Sequence, residues 1–354
     1  MSKIRIRLVA GLLSALAAGS AHAASEKLYL FNWTDYMDPE IISAFEKKYD
    51  VEVVQNYYGS LGEMFAKLQA GGTSQYDVVV PSNYFIPRMI EAGLLQPLDK
   101  SKLSNLGNVM AKFANPDYDP DAKYTVPYQW GTTGLVYNTE TFPDAPKSWS
   151  LLFDEQKNQG QPFSMLNDGQ VMFGAACAFQ GKDYACTGKD NWVDAAKLML
   201  ATKHRTNFSG FTDSTAVLQQ VSRGIVQLGV TYNGDYMQYK LDDPEGYKNV
   251  KFVIPDEGSE IWVDAMAIPA KAPHPDLAYK FIDFILDAQV GAQLTNYTYY
   301  STPNEAAVPN LDEALKQPPA QPSPEDMARL KFTPSLSGQQ LQMFQQMWNE
   351  VQSR

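Results

Sequence analysis

The chain has 354 residues, of which 44% are hydrophobic, 12% aromatic and 19% charged, and its formal net charge at pH 7 is −11. A chain of this length predicts about two domains, and the excess of acids argues against a nucleic acid or an anionic membrane as partner. The aromatic content is high, with 20 tyrosines, and we expect part of it to line a binding site.

The first 23 residues have the pattern of a secretory signal peptide. Lys3, Arg5 and Arg7 form a positive region, residues 8–19 are a short apolar stretch, and residues 21–23 read Ala-His-Ala, as a cleavage site does. No later apolar run reaches the roughly 18 residues of a membrane helix. We therefore expect a soluble protein exported to a periplasm, with 331 residues and a net charge of −14 once three positive charges are removed.

The first part of the chain alternates strands with helices. Residues 27–31, 51–54 and 76–81 are apolar strand candidates, separated by an amphipathic helix that begins at Asp38-Pro39 and by a second helix over residues 63–70. This β-α-β-α-β order predicts an α/β fold with a parallel, doubly wound sheet. In such sheets ligands bind beyond the carboxyl ends of the strands.

A second α/β unit is predicted to begin near residues 134–137. Its further elements are expected as strands over residues 225–232, 252–255 and 265–269 and as a helix over residues 275–286. Residues 306–327 are rich in proline and acids, which predicts irregular structure. The last 15 residues or so have the pattern of a helix.

Aromatic residues stand beside acids in several segments that follow predicted strands. These are residues 32–36, 166–168, 232–236 and 261–264, with Tyr84, Trp130 and Tyr300 elsewhere. Aromatic faces attract ammonium groups, and carboxylates neutralise their charge. If the fold gathers these segments, they form a site for an organic amine. The alternative for each segment is ordinary packing of the ring and a helix cap or turn formed by the acid.

Signatures of catalysis are scarce. His204 and His274 are the histidines that follow the predicted cleavage site, and the sequence contains no nucleophile elbow, phosphate-binding loop or dinucleotide-binding loop. We therefore expect a binding protein without enzymatic activity and without a metal or another cofactor.

Cys177 and Cys186 are the two cysteines of the chain. An even number in an exported protein allows one disulfide, which would close a short loop and add roughly 2–3 kcal/mol. Two buried free thiols are the alternative, and the spacing does not match a zinc site.

Several of these segments resemble the periplasmic polyamine-binding proteins, which are the spermidine- and putrescine-binding receptors of ABC importers. The resemblance rests on residues 30–36, 76–84, 127–133, 262–269 and 301–304 and extends in order over nearly the whole mature chain. It implies a two-lobed periplasmic binding protein of the type II-like class, with a ligand cleft between the lobes and crossover strands that act as hinges.

The resemblance also implies how the chain is divided. It assigns residues 24–133 and 257–303 to lobe 1 and residues 134–256 and 304–354 to lobe 2. We expect the hinges near residues 133–134, 256–258 and 301–303, where the chain crosses between the lobes.

The matching positions imply a set of ligand-binding residues. They are Trp33, Thr34, Asp35, Tyr36, Ser82, Tyr84, Asp168, Tyr232, Asp235, Trp262, Asp264 and Tyr300. Asp235 matches an acid of putrescine receptors that spermidine receptors replace with a small residue. Val171 stands where the family commonly has Glu, so one end of the channel is expected to lack a carboxylate. Both features favour putrescine over spermidine, because an unneutralised ammonium group costs several kcal/mol.

The resemblance therefore implies a receptor that captures a polyamine and delivers it to the membrane permease of an ABC importer, and we expect this receptor to be a monomer. One alternative is a receptor of the same fold for another small cationic or amino-containing solute, such as 4-aminobutyrate or a quaternary amine. A secreted enzyme is a further alternative.

Overall fold

The computed structural model describes residues 26–354, so the predicted signal peptide lies outside the described residues. The strands are β1 Glu26–Trp33, β2 Val51–Tyr58, β3 Val78–Val79, β4 Thr125–Asn138, β5 Phe163–Leu166, β6 Phe208–Thr212, β7 Leu228–Tyr232, β8 Val250–Val253, β9 Ser259–Ala267 and β10 Leu330–Phe332. The α-helices are α1 Pro39–Tyr49, α2 Leu61–Gln69, α3 Ile86–Glu91, α4 Ser150–Phe153, α5 Glu155–Asn158, α6 Gly169–Phe179, α7 Lys189–Lys203, α8 Ser214–Ser222, α9 Asn233–Asp242, α10 Pro275–Ile285, α11 Ala288–Thr298, α12 Pro324–Arg329 and α13 Gly338–Ser353.

The first strands and helices follow from their local sequence. Helix α1 begins at Pro39 because the Asp38 side chain caps it, accepting a hydrogen bond from the Glu40 backbone N–H at 2.8 Å. Strand β1 pairs in parallel with β2 and with β3, which confirms the predicted β-α-β-α-β order. Strand β3 is shorter than predicted and spans Val78–Val79, although the Asp77 N–H donates to the Tyr29 carbonyl and the Pro81 carbonyl accepts from the Ala265 N–H.

Two long strands, β4 and β9, join the halves of the sheet. The strand order is β2-β1-β3-β9-β4-β7-β5-β6, with β10 beside β9 and β8 beside β4. Residues 125–132 of β4 pair antiparallel with β9, and residues 133–138 pair antiparallel with β7 and β8.

The sequence prediction is therefore wrong for the middle of the sheet, which is antiparallel. Residues 134–137 belong to the second half of β4, a strand that pairs with β9 up to Thr132 and with β7 and β8 from Thr133 onward.

Each end of the sheet packs its own apolar core. Leu28, Phe45 and Phe281 belong to the core beside β1 and β2, whereas Phe163 and Trp192 belong to the core around β5 and α7. Cys177 and Cys186 are joined by a disulfide in this second core region, with an S–S distance of 2.06 Å. Residues that pack on both of these cores, such as Tyr36 and Tyr232, face one cleft.

Two further predicted elements differ from the structure. The strand predicted over residues 225–232 begins at Leu228, because Gly224, with a φ of 69°, and the exposed Ile225 form a turn after α8. The segment predicted to be irregular contains α12, where Ser323 caps the helix and Pro324 begins it. Within residues 26–354, we find no helix with both the length and the apolar character needed to cross a membrane.

Candidate functional site

A cleft of about 1240 Å³ lies at the carboxyl end of β1, along β9 and at the N-termini of α6 and α9. It is lined by all the residues that the resemblance assigns to the ligand: Trp33, Thr34, Asp35, Tyr36, Ser82, Tyr84, Asp168, Tyr232, Asp235, Trp262, Asp264 and Tyr300. The fold thus brings together side chains that are up to 267 positions apart in the sequence. Their contact with a ligand stays a prediction.

Trp130, by contrast, does not belong to the cleft. Its side chain is 2% exposed and packs against Phe113 with 5.4 Å between the ring centroids. The indole N–H donates a hydrogen bond to the backbone carbonyl of Thr302 at 2.9 Å. Trp130 is therefore a core residue that fastens β4 to the segment after α11, and its inclusion among the site aromatics was wrong.

Aromatic rings form a continuous series along one wall of the cleft. The ring of Tyr36 lies 5.6 Å from that of Tyr300, which lies 5.1 Å from Trp262, which in turn lies 6.0 Å from Tyr232, all measured between centroids. Interplanar angles of 80°, 70° and 80° make each contact edge-to-face, an arrangement that aromatic pairs prefer. The wall is thus a fixed surface on which an alkyl chain or an ammonium group can pack.

Gly131 on β4 makes room for this wall. A Cβ atom at position 131 would overlap the ring of Trp262. The indole therefore packs directly on the backbone of the crossover strand, which fixes its position relative to the hinge.

Asp264 is a buried acid on β9, with 6% of its surface exposed. Burial raises the pKa of Asp264 to about 6, and the hydrogen bond from the Ser82 hydroxyl opposes this rise. Ser82 Oγ donates to Asp264 Oδ1. The carboxylate is thereby oriented within the cleft.

Asp235 lies in the first turn of α9, and two hydroxyl groups donate hydrogen bonds to its carboxylate. Tyr300 donates to its Oδ1 at 2.6 Å, and Ser214 donates to its Oδ2. Burial raises the pKa of Asp235, and both hydrogen bonds oppose the rise. Asp235 is therefore more than a turn residue, since its carboxylate is both oriented and desolvated at the cleft wall.

Asp168 caps helix α6 and also lines the cleft. Its side chain accepts a hydrogen bond from the backbone N–H of Val171 at 3.1 Å. Burial raises the pKa of Asp168, and the backbone hydrogen bonds oppose this. The helix-cap interpretation is correct for this acid without excluding a role in the cleft. The side chain of Val171 is 1% exposed and belongs to the apolar core.

Asp35 is the exposed acid of the first segment. Its backbone adopts the left-handed conformation with a φ of 54°, so it forms a turn after β1 in addition to lining the cleft.

The sequence analysis missed Glu260. This acid is 3% exposed and lines the cleft. Its Oε2 accepts a hydrogen bond from Thr133 Oγ1 at 2.7 Å, and its Oε1 accepts one from Thr333 Oγ1. Burial and then the charge of Asp168 raise the pKa of Glu260 to about 7. The available signal was alternation along β9, since positions 260, 262 and 264 lie on one face of the strand.

Further residues line the cleft that were not assigned to the ligand from the sequence. They are Gly59, Ser60, Leu61, Asn167, Thr215, Gln238, Tyr239, Asp242, Asn296, Tyr297, Thr298 and Tyr299.

Among the described residues, all the charged side chains that line the cleft are acidic. The lining acids are Asp35, Asp168, Asp235, Asp242, Glu260 and Asp264. Within the part of the chain that the structure describes, no lysine, arginine or histidine lines the cleft with them. Carboxylates without cationic partners, together with aromatic faces, favour a cationic organic ligand. Nor do residues 26–354 contain a group of three or more His, Cys, Asp or Glu that could hold a metal ion.

The α/β fold with a cleft between two cores defines a solute-binding protein, and comparisons with known proteins agree. Residues 40–323 match the model of the bacterial extracellular solute-binding proteins. The chain belongs to this family, which confirms the expected two-lobed fold.

Similar proteins cover nearly the whole chain. A putrescine/cadaverine-binding protein of Pseudomonas aeruginosa is 35% identical over 353 residues, covering 97% of this chain and 98% of that protein. A putrescine-binding periplasmic protein of Escherichia coli is 33% identical over 340 residues, covering 92% and 91%. Among solved structures, a putative spermidine/putrescine ABC transporter protein from Listeria monocytogenes has a TM-score of 0.83 and 30% identity, covering 93% of this chain and 99% of that chain.

Proposed function

We propose that the protein is a receptor that captures a polyamine, with putrescine favoured over spermidine, and delivers it to an ABC importer. The observation that carries the proposal is the cleft, where aromatic rings and acids face one cavity and no basic side chain of the described residues lines it. Similar proteins named for putrescine binding, at 35% and 33% identity, support it.

Asp235 supports a diamine as the ligand. Its carboxylate is oriented by two hydroxyls, and Asp264 is oriented separately by Ser82. Oriented carboxylates at separate points of the cleft suit a ligand with more than one ammonium group, since each ammonium has three donors for carboxylate oxygens.

The alternative solutes fit less well. A quaternary amine has no N–H to donate to these carboxylates. 4-Aminobutyrate would bring its own carboxylate into a cleft that already holds six acids, and like charges in a buried site repel.

The proposal includes a location and a partner. The protein would be exported to the periplasm through the signal peptide over residues 1–23 and would act as a monomer that docks on a membrane permease in its closed state. Residues 24–133 with 257–303, and residues 134–256 with 304–354, would be the two lobes. It would be a receptor rather than an enzyme, and would require no cofactor.

Calorimetric titration tests the proposal. The protein is unfolded and refolded to remove bound amine, then titrated with putrescine, cadaverine, spermidine, 4-aminobutyrate, a quaternary amine and a neutral sugar. We expect diamines to bind, spermidine to bind more weakly, and the sugar to give no heat. Asp264→Asn should weaken putrescine binding by at least about tenfold, because it removes one partner of a buried charge pair.

Asp117→Asn is the matched control. Asp117 is exposed and does not line the cleft, so this variant should bind within about twofold of the unmodified protein, as substitutions away from a site do. The proposal fails if no amine binds, or if Asp264→Asn binds putrescine as well as Asp117→Asn does.

A further inference from the structure

Glu260 shares one face of strand β9 with Trp262 and Asp264. Side chains two residues apart on a strand point to the same side, and all three of these residues line the cleft. Glu260 is 3% exposed. A buried carboxylate is costly unless it is paired, and among the described residues no basic side chain lines the cleft beside it. A ligand can supply the missing positive charge.

The hydrogen bonds of Glu260 leave room for such a ligand. Thr133 on β4 donates to Oε2 at 2.7 Å, and Thr333, which follows β10, donates to Oε1. A carboxylate has about four acceptor sites, so each oxygen keeps capacity for a further donor. The two hydroxyls hold the carboxylate in a fixed orientation on the crossover strands without neutralising it.

The charged and titratable groups around Glu260 add no cation. They are Asp168 at the start of α6, Asp264 on β9, Tyr84 after β3, Tyr184 before α7 and Tyr232 at the end of β7. Burial raises the pKa of each of these tyrosines well above the usual value, so they are neutral near pH 7. The strongest charge acting on Glu260 is therefore another carboxylate, that of Asp168.

We propose that Glu260 and Asp168 together form a cation-binding subsite that takes one ammonium group of the amine ligand. The inference rests on the proposed function and identifies a residue that determines affinity and its pH dependence. Val171 contributes no acid one helical turn after Asp168. Glu260 supplies a carboxylate beside Asp168 from strand β9 instead, so Val171 no longer argues against spermidine and the preference for putrescine rests on Asp235.

Binding should then depend on pH near neutrality. An ammonium group pairs with the ionised form of Glu260, so protonation of this residue competes with the ligand. With a pKa of about 7 for Glu260, acidification from pH 8 to pH 6 should weaken binding about tenfold through this group. Asp264, with a pKa of about 6, adds about twofold over the same interval.

The experiment is calorimetric titration with putrescine at pH 8, 7 and 6, in pairs of buffers with different ionisation enthalpies. For the unmodified protein we expect an affinity loss of about twentyfold from pH 8 to pH 6 and release of about half a proton at pH 7. Glu260→Gln should bind at least about tenfold more weakly at pH 8. The putrescine affinity of this variant should fall only about twofold further between pH 8 and pH 6, and binding at pH 7 should release little of a proton.

Glu140→Gln is the matched control, because Glu140 is exposed, follows β4 in the chain and does not line the cleft. It should retain the affinity, pH dependence and proton release of the unmodified protein. Thr333→Val is a second variant that keeps the carboxylate but removes a hydrogen bond that lowers the pKa of Glu260. It should move the loss of affinity to a higher pH.

The outcomes separate the two proposals. If the unmodified protein and Glu260→Gln share one affinity and one pH profile while Asp264→Asn loses binding, the Glu260 subsite is refuted and the receptor function stands. An unchanged pH profile in Thr333→Val also refutes the subsite. If the unmodified protein binds no amine, both proposals fail.

Discussion

At the scale of single residues, the cleft acids oppose the stability of the protein that carries them. Glu260 and Asp264 have pKa values of about 7 and about 6, raised from 4.5 and 3.8 mainly by burial. A raised pKa means that the folded state prefers the protonated acid. The stability contributed by protonated Glu260 is fully present below pH 4.5 and is lost as the pH rises through about 7.

We therefore predict that the ligand-free protein becomes less stable between pH 5 and pH 8. Ionisation of Glu260 should lower the free energy of unfolding by an amount on the order of 3 kcal/mol. Urea unfolding of the stripped protein at both pH values measures this loss, which should shrink in Glu260→Gln and persist in Glu140→Gln. Equal losses in all three proteins would show that burial of this charge does not destabilise the fold.

The sequence predicts residues whose motif is local and misses those whose role is set by distant neighbours. Asp35 and Asp264 stand near tryptophans in short patterns, and both line the cleft. Glu260 is one of 40 acidic residues, and only the fold places it beside Asp168, Thr133 and Thr333. Trp130 shows the converse error, since an aromatic residue on a strand fits a core as well as a site.

At the scale of elements, the crossover strands were the hardest feature to predict. Strand β4 is continuous from Thr125 to Asn138, but its first half pairs with β9 and its second half with β7 and β8. Hydrophobic patterning reports burial and not the identity of the partner strand, so the second half resembled a new unit. The regular helices, such as α1 and α10, were predictable because caps and apolar faces are encoded locally.

The close contact between Gly131 of β4 and the ring of Trp262 can be tested by substitution of the glycine. Gly131→Ala should push the indole out of the aromatic wall, since the added methyl group has no space. We expect the free energy of unfolding to fall by about 1–3 kcal/mol through overpacking. Putrescine affinity should fall about threefold to thirtyfold, the equivalent of one cation–π contact.

Urea unfolding and calorimetric titration measure both effects. Gly107→Ala is the control, because a Cβ at this position meets no atom within 4 Å. If Gly131→Ala binds putrescine as tightly as Gly107→Ala, the position of the Trp262 ring does not matter for affinity.

At the scale of the whole molecule, the residues that line the cleft pack on different apolar cores. The β1 end and Ser82 lie beside one core, whereas α6 and Tyr232 lie beside the other. A ligand that touches both sides favours the closed arrangement only through contacts that the open arrangement cannot make. Glu260 lies where this motion would bend, because its hydrogen bonds join β9 to Thr133 of β4 and to Thr333.

We therefore predict that putrescine makes the protein more compact. Small-angle X-ray scattering of the stripped protein should show a smaller radius of gyration at saturation, and ligand at 100 times its Kd should raise the free energy of unfolding by about 2.7 kcal/mol. Asp264→Asn at the same putrescine concentration should gain at most about 1.4 kcal/mol, because a tenfold weaker affinity leaves the ligand at about ten times its Kd. If calorimetry shows saturation but the radius of gyration does not fall, hinge closure is contradicted, since the ligand would then bind without bringing the lobes together.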